Sequence, residues 1–187
     1  MADAIPHLYL DTNIILDFVH NRWKPSIDLF EKIRARNWQC TTSHYSALEM
    51  LDSEQFETCI QKMRLKGFSW SQVMSRIPER RGAKHGLSQK QLATVYEGLF
   101  DSISLIKDCV TFVYPHKELW VDAERYLYST NIGARDAIHL ATAKGYECNI
   151  LITRDKYFRK IANEYIIATF PENILKAIKE LEARQGK

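Results

Sequence analysis

Residues 8–18 read Leu8-Tyr9-Leu10-Asp11-Thr12-Asn13-Ile14-Ile15-Leu16-Asp17-Phe18, an apolar run interrupted by a carboxylate and two small polar residues. An ionised carboxylate in such a run loses hydration, and it is tolerated where a cation or hydrogen-bond donors compensate. Before Asp11 the run suits a short strand buried on both faces; after it, Ile14, Ile15 and Phe18 fall at helical spacing. A strand that passes through a polar turn into a helix is how a parallel α/β sheet begins. Such sheets bind ligands beyond the carboxyl ends of their strands, which is where Asp11 would stand.

The same rhythm continues outward. With His7–Leu10 as the first, strand-like runs also occupy Trp38–Thr42, Val110–Tyr114, Ile150–Thr153 and Ile166–Ala168. Helical patterns separate them: Asn13–Val19, Ser26–Arg36, Ser43–Met63, a stretch carrying Leu119, Ala123, Tyr126 and Leu127, and another carrying Ile138, Ala141 and Thr142. Gly145 is placed to close that last helix as a cap, and Pro171 to open a C-terminal amphipathic helix. Alternating strands and helices predict an α/β fold of three layers, α/β/α, around a central, mostly parallel sheet.

One stretch departs from this. Residues from about 52 to 108 are mostly helix-forming with no convincing strand, and predict a helical insertion within a single domain spanning 1–187. Within it, residues 62–90 carry eight cations (Lys62, Arg64, Lys66, Arg76, Arg80, Arg81, Lys84 and Lys90) against the single acid Glu79. That is a net +7 in a chain whose total is +3, leaving −4 elsewhere. Such a stretch can bind phosphates, with Phe68 and Trp70 available to stack on bases; it can equally be a solvated face whose aromatics belong to the insertion's own packing.

At 187 residues and 45% hydrophobic, the chain can bury roughly 70% of its unfolded surface, enough for a real core. A charged fraction of 26% argues against disorder. Cys40, Cys59, Cys109 and Cys148 lie far apart with no zinc-type spacing, and read as free thiols. Neither a signal peptide nor a membrane span is legible, and a cytoplasmic setting is the expectation.

Four carboxylates sit at the ends of these elements. Asp11 follows the first strand, and Asp155 follows the Ile150–Thr153 run with Arg154 between. Glu49 lies one to two turns into the helix after the second strand, and Asp136 opens the helix Arg135–Ala143. Carboxylates gathered at one edge repel one another, and an oxygen-only donor set suits hard divalent cations such as magnesium or manganese. That chemistry serves phosphodiester hydrolysis. Each acid also has a local explanation. Asp11 can cap the helix after it, Ser46-Ala47-Leu48-Glu49 fits a capping box, Asp136 can cap its helix, and Asp155 can start a turn or cap the helix from Lys156. Asp17 reads as a solvated or supporting carboxylate, and His139 as a satisfied core histidine.

Taken together, Leu10–Asp17, Glu49, Asp136–Ala143 and Ile152–Phe158 resemble the PIN-domain ribonucleases, most closely the VapC-type toxins of toxin-antitoxin pairs. The resemblance covers roughly 5–51 and 110–180. It implies a PIN-like fold and a metal-dependent endoribonuclease in which Asp11, Glu49, Asp136 and Asp155 bind one or two magnesium or manganese ions. Thr12, Asn13 and Thr153 would then orient ligands or substrate. It also implies single-stranded RNA as substrate, a homodimer and a small protein antitoxin, with no membrane partner.

Rival readings fare less well. A haloacid dehalogenase-type phosphatase needs Asp-x-Asp, and Asn13 stands where the second Asp should be. No G-x-G-x-x-G follows the first strand. The alternative of another class is a catalytically silent PIN-fold RNA-binding or scaffold protein, against which all four acids count.

Overall fold

A computed structural model describes residues 5–80 and 87–186, with the backbone alone for 77–80. Arg81 and Lys84 of the basic stretch, and the side chains of Glu79 and Arg80, lie outside the described residues. The chain forms two compact units, Met1–Ser46 with Ile106–Lys187, and Ala47–Leu105.

The first unit holds a five-stranded, wholly parallel sheet of order β3-β2-β1-β4-β5. Its strands are β1 (His7–Leu10), β2 (Gln39–Ser43), β3 (Thr111–Val113), β4 (Ile150–Ile152) and β5 (Ile167–Thr169), within a residue or so of the runs read from sequence. Between β1 and β2 lie α1 (Thr12–Val19) and α2 (Lys24–Arg36), and α3 (His44–Leu65) follows β2. The helices α6 (Lys117–Thr130) and α7 (Ala134–Gly145) lead from β3 to β4, and α8 (Lys156–Ala162) leads on to β5. A 3-10 turn over Pro171–Asn173 opens α9 (Ile174–Gln185).

Succession through β1, β2 and β3 runs one way across the sheet, whereas β4 and β5 run the other. Within the first unit, right-handed crossovers therefore put α1 and α2 on one face of the sheet and α7 and α8 on the other, the three layers expected. Side-chain alternation matches this. Tyr9, Leu151 and Ala168 join a core with Ala137, Leu140 and Phe158 from α7 and α8. Leu8 and Leu10 point to the other face, on which Ile14, Leu29 and Phe30 of α1 and α2 are fully buried.

Gly145 has a different role from the cap expected of it. It lies within α7, whose cap is Tyr146, and a Cβ added there would collide with Leu119 Cδ2. The glycine lets α6 and α7 approach closely. All four cysteines are free, and burial pushes the Cys148 thiol up to about 12, so it stays protonated at neutral pH.

The second unit contains most of α3, then α4 (Trp70–Arg80) and α5 (Gln89–Ile106) up to Leu105. Cys59, Met63 and Val73 are buried together, with Phe56, Ile60 and Phe68 packed against them. Phe68 thus serves packing, with the Arg76 guanidinium 4.3 Å from its ring centroid, whereas Trp70 is 58% exposed. Among the described residues, no helix is long and apolar enough to cross a membrane.

Candidate active site

The register Leu10↔Ile152 makes Asp11 and Thr153 the next pair beyond the two strands, at the point where the sheet's winding reverses. Asp11 N–H donates to Ile152 O at 3.1 Å, which continues the ladder one residue past β1. The carboxylate is only 7% exposed. It occupies the N-cap position of α1, yet its side chain accepts no capping bond from the backbone N–H groups of that helix. Instead Thr153 Oγ1 donates to Asp11 Oδ2 at 2.6 Å, and Asn13 Nδ2 donates to the same oxygen.

Thr153 is fully buried and fully engaged. Its hydroxyl oxygen also accepts from Asp155 N–H at 3.0 Å and from Asn13 Nδ2 at 3.3 Å. Asn13 Oδ1 in turn accepts from Arg154 N–H at 3.2 Å. The loops after β1 and β4 are thereby tied together through two small polar side chains, and Thr12 is buried at the first position of α1. A hydroxyl committed to three partners orients its neighbours and is poorly placed to attack a substrate.

The remaining acids are placed as follows. Asp155 is the N-cap of α8, and its Oδ1 accepts from Tyr157 N–H at 2.7 Å and Phe158 N–H at 2.9 Å, so the capping reading holds at this residue. Asp136 lies half-buried in the first turn of α7, whose N-cap is Gly133. Glu49 is half-buried on α3, in the Ala47–Leu105 unit. The capping box read at Ser46 does not form. Ser43 precedes α3 and accepts from Tyr45 N–H at 3.0 Å, while Ser46 Oγ meets Thr42 Oγ1 at 2.7 Å.

Two features went beyond the sequence reading. His139 is a satisfied core histidine, with Nδ1 2.8 Å from Tyr9 Oη, but its Nε2 also lies 3.8 Å from Asp11 Oδ1. The available signal was its spacing: Asp136 and His139 stand three apart on α7, hence on one face. Asp17, read as solvated or supporting, is 1% exposed. Its Oδ2 pairs with Arg154 Nε at 2.9 Å and accepts from Ser26 Oγ at 3.2 Å. Burial raises the Asp17 pKa, with Arg154, Ser26 and Arg22 opposing the shift.

The donor chemistry here, carboxylate, hydroxyl and amide oxygen, suits a hard divalent cation. Among the described residues, no three His, Cys, Asp or Glu side chains are gathered closely enough to hold one as they stand.

Comparison with known proteins sharpens the resemblance. A family model described as PIN domain matches residues 97–164, which include Asp136 and Asp155. VapBC2 from Rickettsia felis, solved bound to a DNA fragment from their promoter, shares the fold with a TM-score of 0.54 at 14% identity. That match covers 88% of this chain and 98% of the other. FitAcB from Neisseria gonorrhoeae does so with a TM-score of 0.51 at 16% identity, over 88% and 97%. None of the curated proteins matches at a significant level. The resemblance to PIN-domain proteins is borne out by the family match and, for the fold, by these neighbours.

Proposed function

We propose that this protein is a metal-dependent endoribonuclease of the toxin-antitoxin kind that cleaves single-stranded RNA. The observation that carries the reading is Asp11, a buried carboxylate at the switch point of the sheet that accepts no capping bond from α1 and is aimed by Thr153 and Asn13. In this proposal Asp11, Glu49, Asp136 and Asp155 hold one or two magnesium or manganese ions. Bound there, such an ion would lower the pKa of attacking water and screen charge developing on the phosphate. The chain's own residues orient: Thr153 and Asn13 fix one oxygen of Asp11, and Thr153 also fixes the backbone of Asp155. The fold shared with VapBC2 supports a protein antitoxin as partner, and a homodimer in the cytoplasm is the expected setting.

The test is cleavage of single-stranded RNA by the purified protein with magnesium or manganese. Activity is expected to vanish in excess chelator and in Asp11→Asn, with the far-UV circular dichroism unchanged. Equal cleavage by wild type and Asp11→Asn, or cleavage that survives the chelator, overturns the proposal. RNA binding without cleavage by the wild type would support the silent RNA-binding alternative.

A further inference from the structure

Beside the carboxylate edge, and wholly within the first unit, lies a pocket of about 540 Å³ lined by Trp23, Phe170, Arg154, Lys156 and Glu172 together with Asn13 and Asp155. We infer that this pocket receives one unpaired nucleotide of the RNA, next to the phosphate that is cleaved, with its base against the ring of Trp23. The inference rests on the ribonuclease reading for its substrate and adds to it a binding subsite.

The charge balance selects the class of ligand. The lining carries two cations, Arg154 and Lys156, and two anions, Asp155 and Glu172, so its charge is balanced and the pocket is no trap for a bare phosphate. What suits it is a flat, uncharged group with a polar edge, and a nucleobase is such a group. Its volume falls within the range of ligand pockets, roughly 300–1,000 Å³. Glu172 accepts hydrogen bonds and donates none, so it would meet an exocyclic amine of the base.

Both aromatics are held in place before any ligand arrives. The Arg154 guanidinium carbon lies 5.4 Å from the Trp23 ring centroid, and that of Arg159 lies 4.2 Å from the Phe170 ring centroid. Arg154 is itself anchored by buried Asp17 at 2.9 Å, and its backbone N–H is tied to Asn13. A ring fixed by a pinned guanidinium loses little freedom when a base stacks on it, which favours binding. The chain of contacts from Trp23 through Arg154 to Asn13 and Asp11 then sets the distance between the stacked base and the carboxylate edge.

The test is fluorescence anisotropy with a short fluorescein-labelled oligoadenylate in excess chelator, where nothing is cleaved. Trp23→Ala is expected to raise Kd by about 5- to 150-fold, the range that stacking of one base spans. Trp23→Phe should keep most of the affinity, and Lys156→Glu should weaken it. The oligonucleotide should quench part of the wild-type tryptophan emission, a part that is absent in Trp23→Phe. An unchanged Kd in folded Trp23→Ala, or no Trp23-dependent quenching at saturation, overturns the inference. If Trp23→Ala does not fold, the quenching comparison and Lys156→Glu decide. An RNA-indifferent pocket that instead binds a protein partner would appear as that unchanged Kd. Binding without cleavage in magnesium would sink the nuclease reading alone. Cleavage with an unaltered KM in Trp23→Ala would sink this inference alone.

Discussion

Thr153 is the residue on which the edge turns. Its side chain is fully buried, donates to Asp11 and accepts from Asp155 N–H, so a single hydroxyl aims the two acids that follow β1 and β4. Thr153→Val keeps the shape and removes that function. On the proposed role of Asp11 as a metal ligand, cleavage is expected to fall about 10- to 100-fold, the usual cost of losing a group that orients such a ligand, and Thr153→Ser should restore it. Single-turnover rates on one RNA substrate measure both. The neighbouring pair of Asp17 and Arg154 makes a prediction about stability. Burial raises the folded-state pKa of Asp17, so the folded form holds its proton to higher pH than the unfolded form does. The contribution of Asp17 is fully present below the ordinary carboxylate pKa and is lost as pH rises through the raised one. Urea unfolding between acid and neutral pH should therefore show a fall in stability that Asp17→Asn flattens. At neutral pH Arg154→Met should cost about 1–3 kcal/mol, toward the lower end because the Arg154 side chain is 44% exposed, and pairing it with Asp17→Asn should recover most of that loss.

At the scale of elements, Asp155 has two roles that one substitution can separate. It caps α8 through Oδ1, and it also stands at the carboxyl end of β4 among the proposed ligands. Asp155→Ala should lose the cap and destabilise the protein by about 0.5–2 kcal/mol, together with activity. Asp155→Asn can still accept from Tyr157 and Phe158 amides, so its melting temperature should stay near wild type while cleavage drops. Equal activity in Asp155→Asn and wild type would show that the residue is a cap and nothing more. α7 carries a related lesson. Its seven-residue stretch from Ala137 to Ala143 contains five fully or nearly fully buried apolar or small positions, and Gly145 admits Leu119 of α6. The helix that presents Asp136 and His139 is thus fixed by close packing along its length.

At the scale of the whole molecule, β1 and β4 occupy the middle of the sheet, and the side chains from Leu8 to Leu10 and from Ile150 to Ile152 are all fully buried. Amide exchange is expected to be slowest there, since central strands open only with the unit as a whole. In the Ala47–Leu105 unit, the described side chains of α4, residues 70–76, are exposed apart from buried Val73, and the amides of this helix should exchange far sooner. Hydrogen-exchange mass spectrometry reads both, and uniform protection across the two units would contradict the expectation.

The five strands, the helices between them and the positions of the acids at element ends were legible in the sequence, because each depends on patterns within a few residues. Apolar runs, helical spacing and the carboxylate after a strand are local signals. The roles of individual residues were not, because they depend on partners distant in the chain. Of two local roles open to Asp155 the fold chose the cap, while Gly145 became a contact surface and Asp17 a buried partner for an arginine 137 positions away. The pocket beside the edge joins residues 23, 154 and 170, which no spacing rule connects. What the sequence by itself determined was a parallel α/β fold with a carboxylate at its first strand's end. Strand order and register decided the rest. By pairing Leu10 with Ile152, they set Asp11 against Thr153 and gave the buried charge its hydrogen bonds.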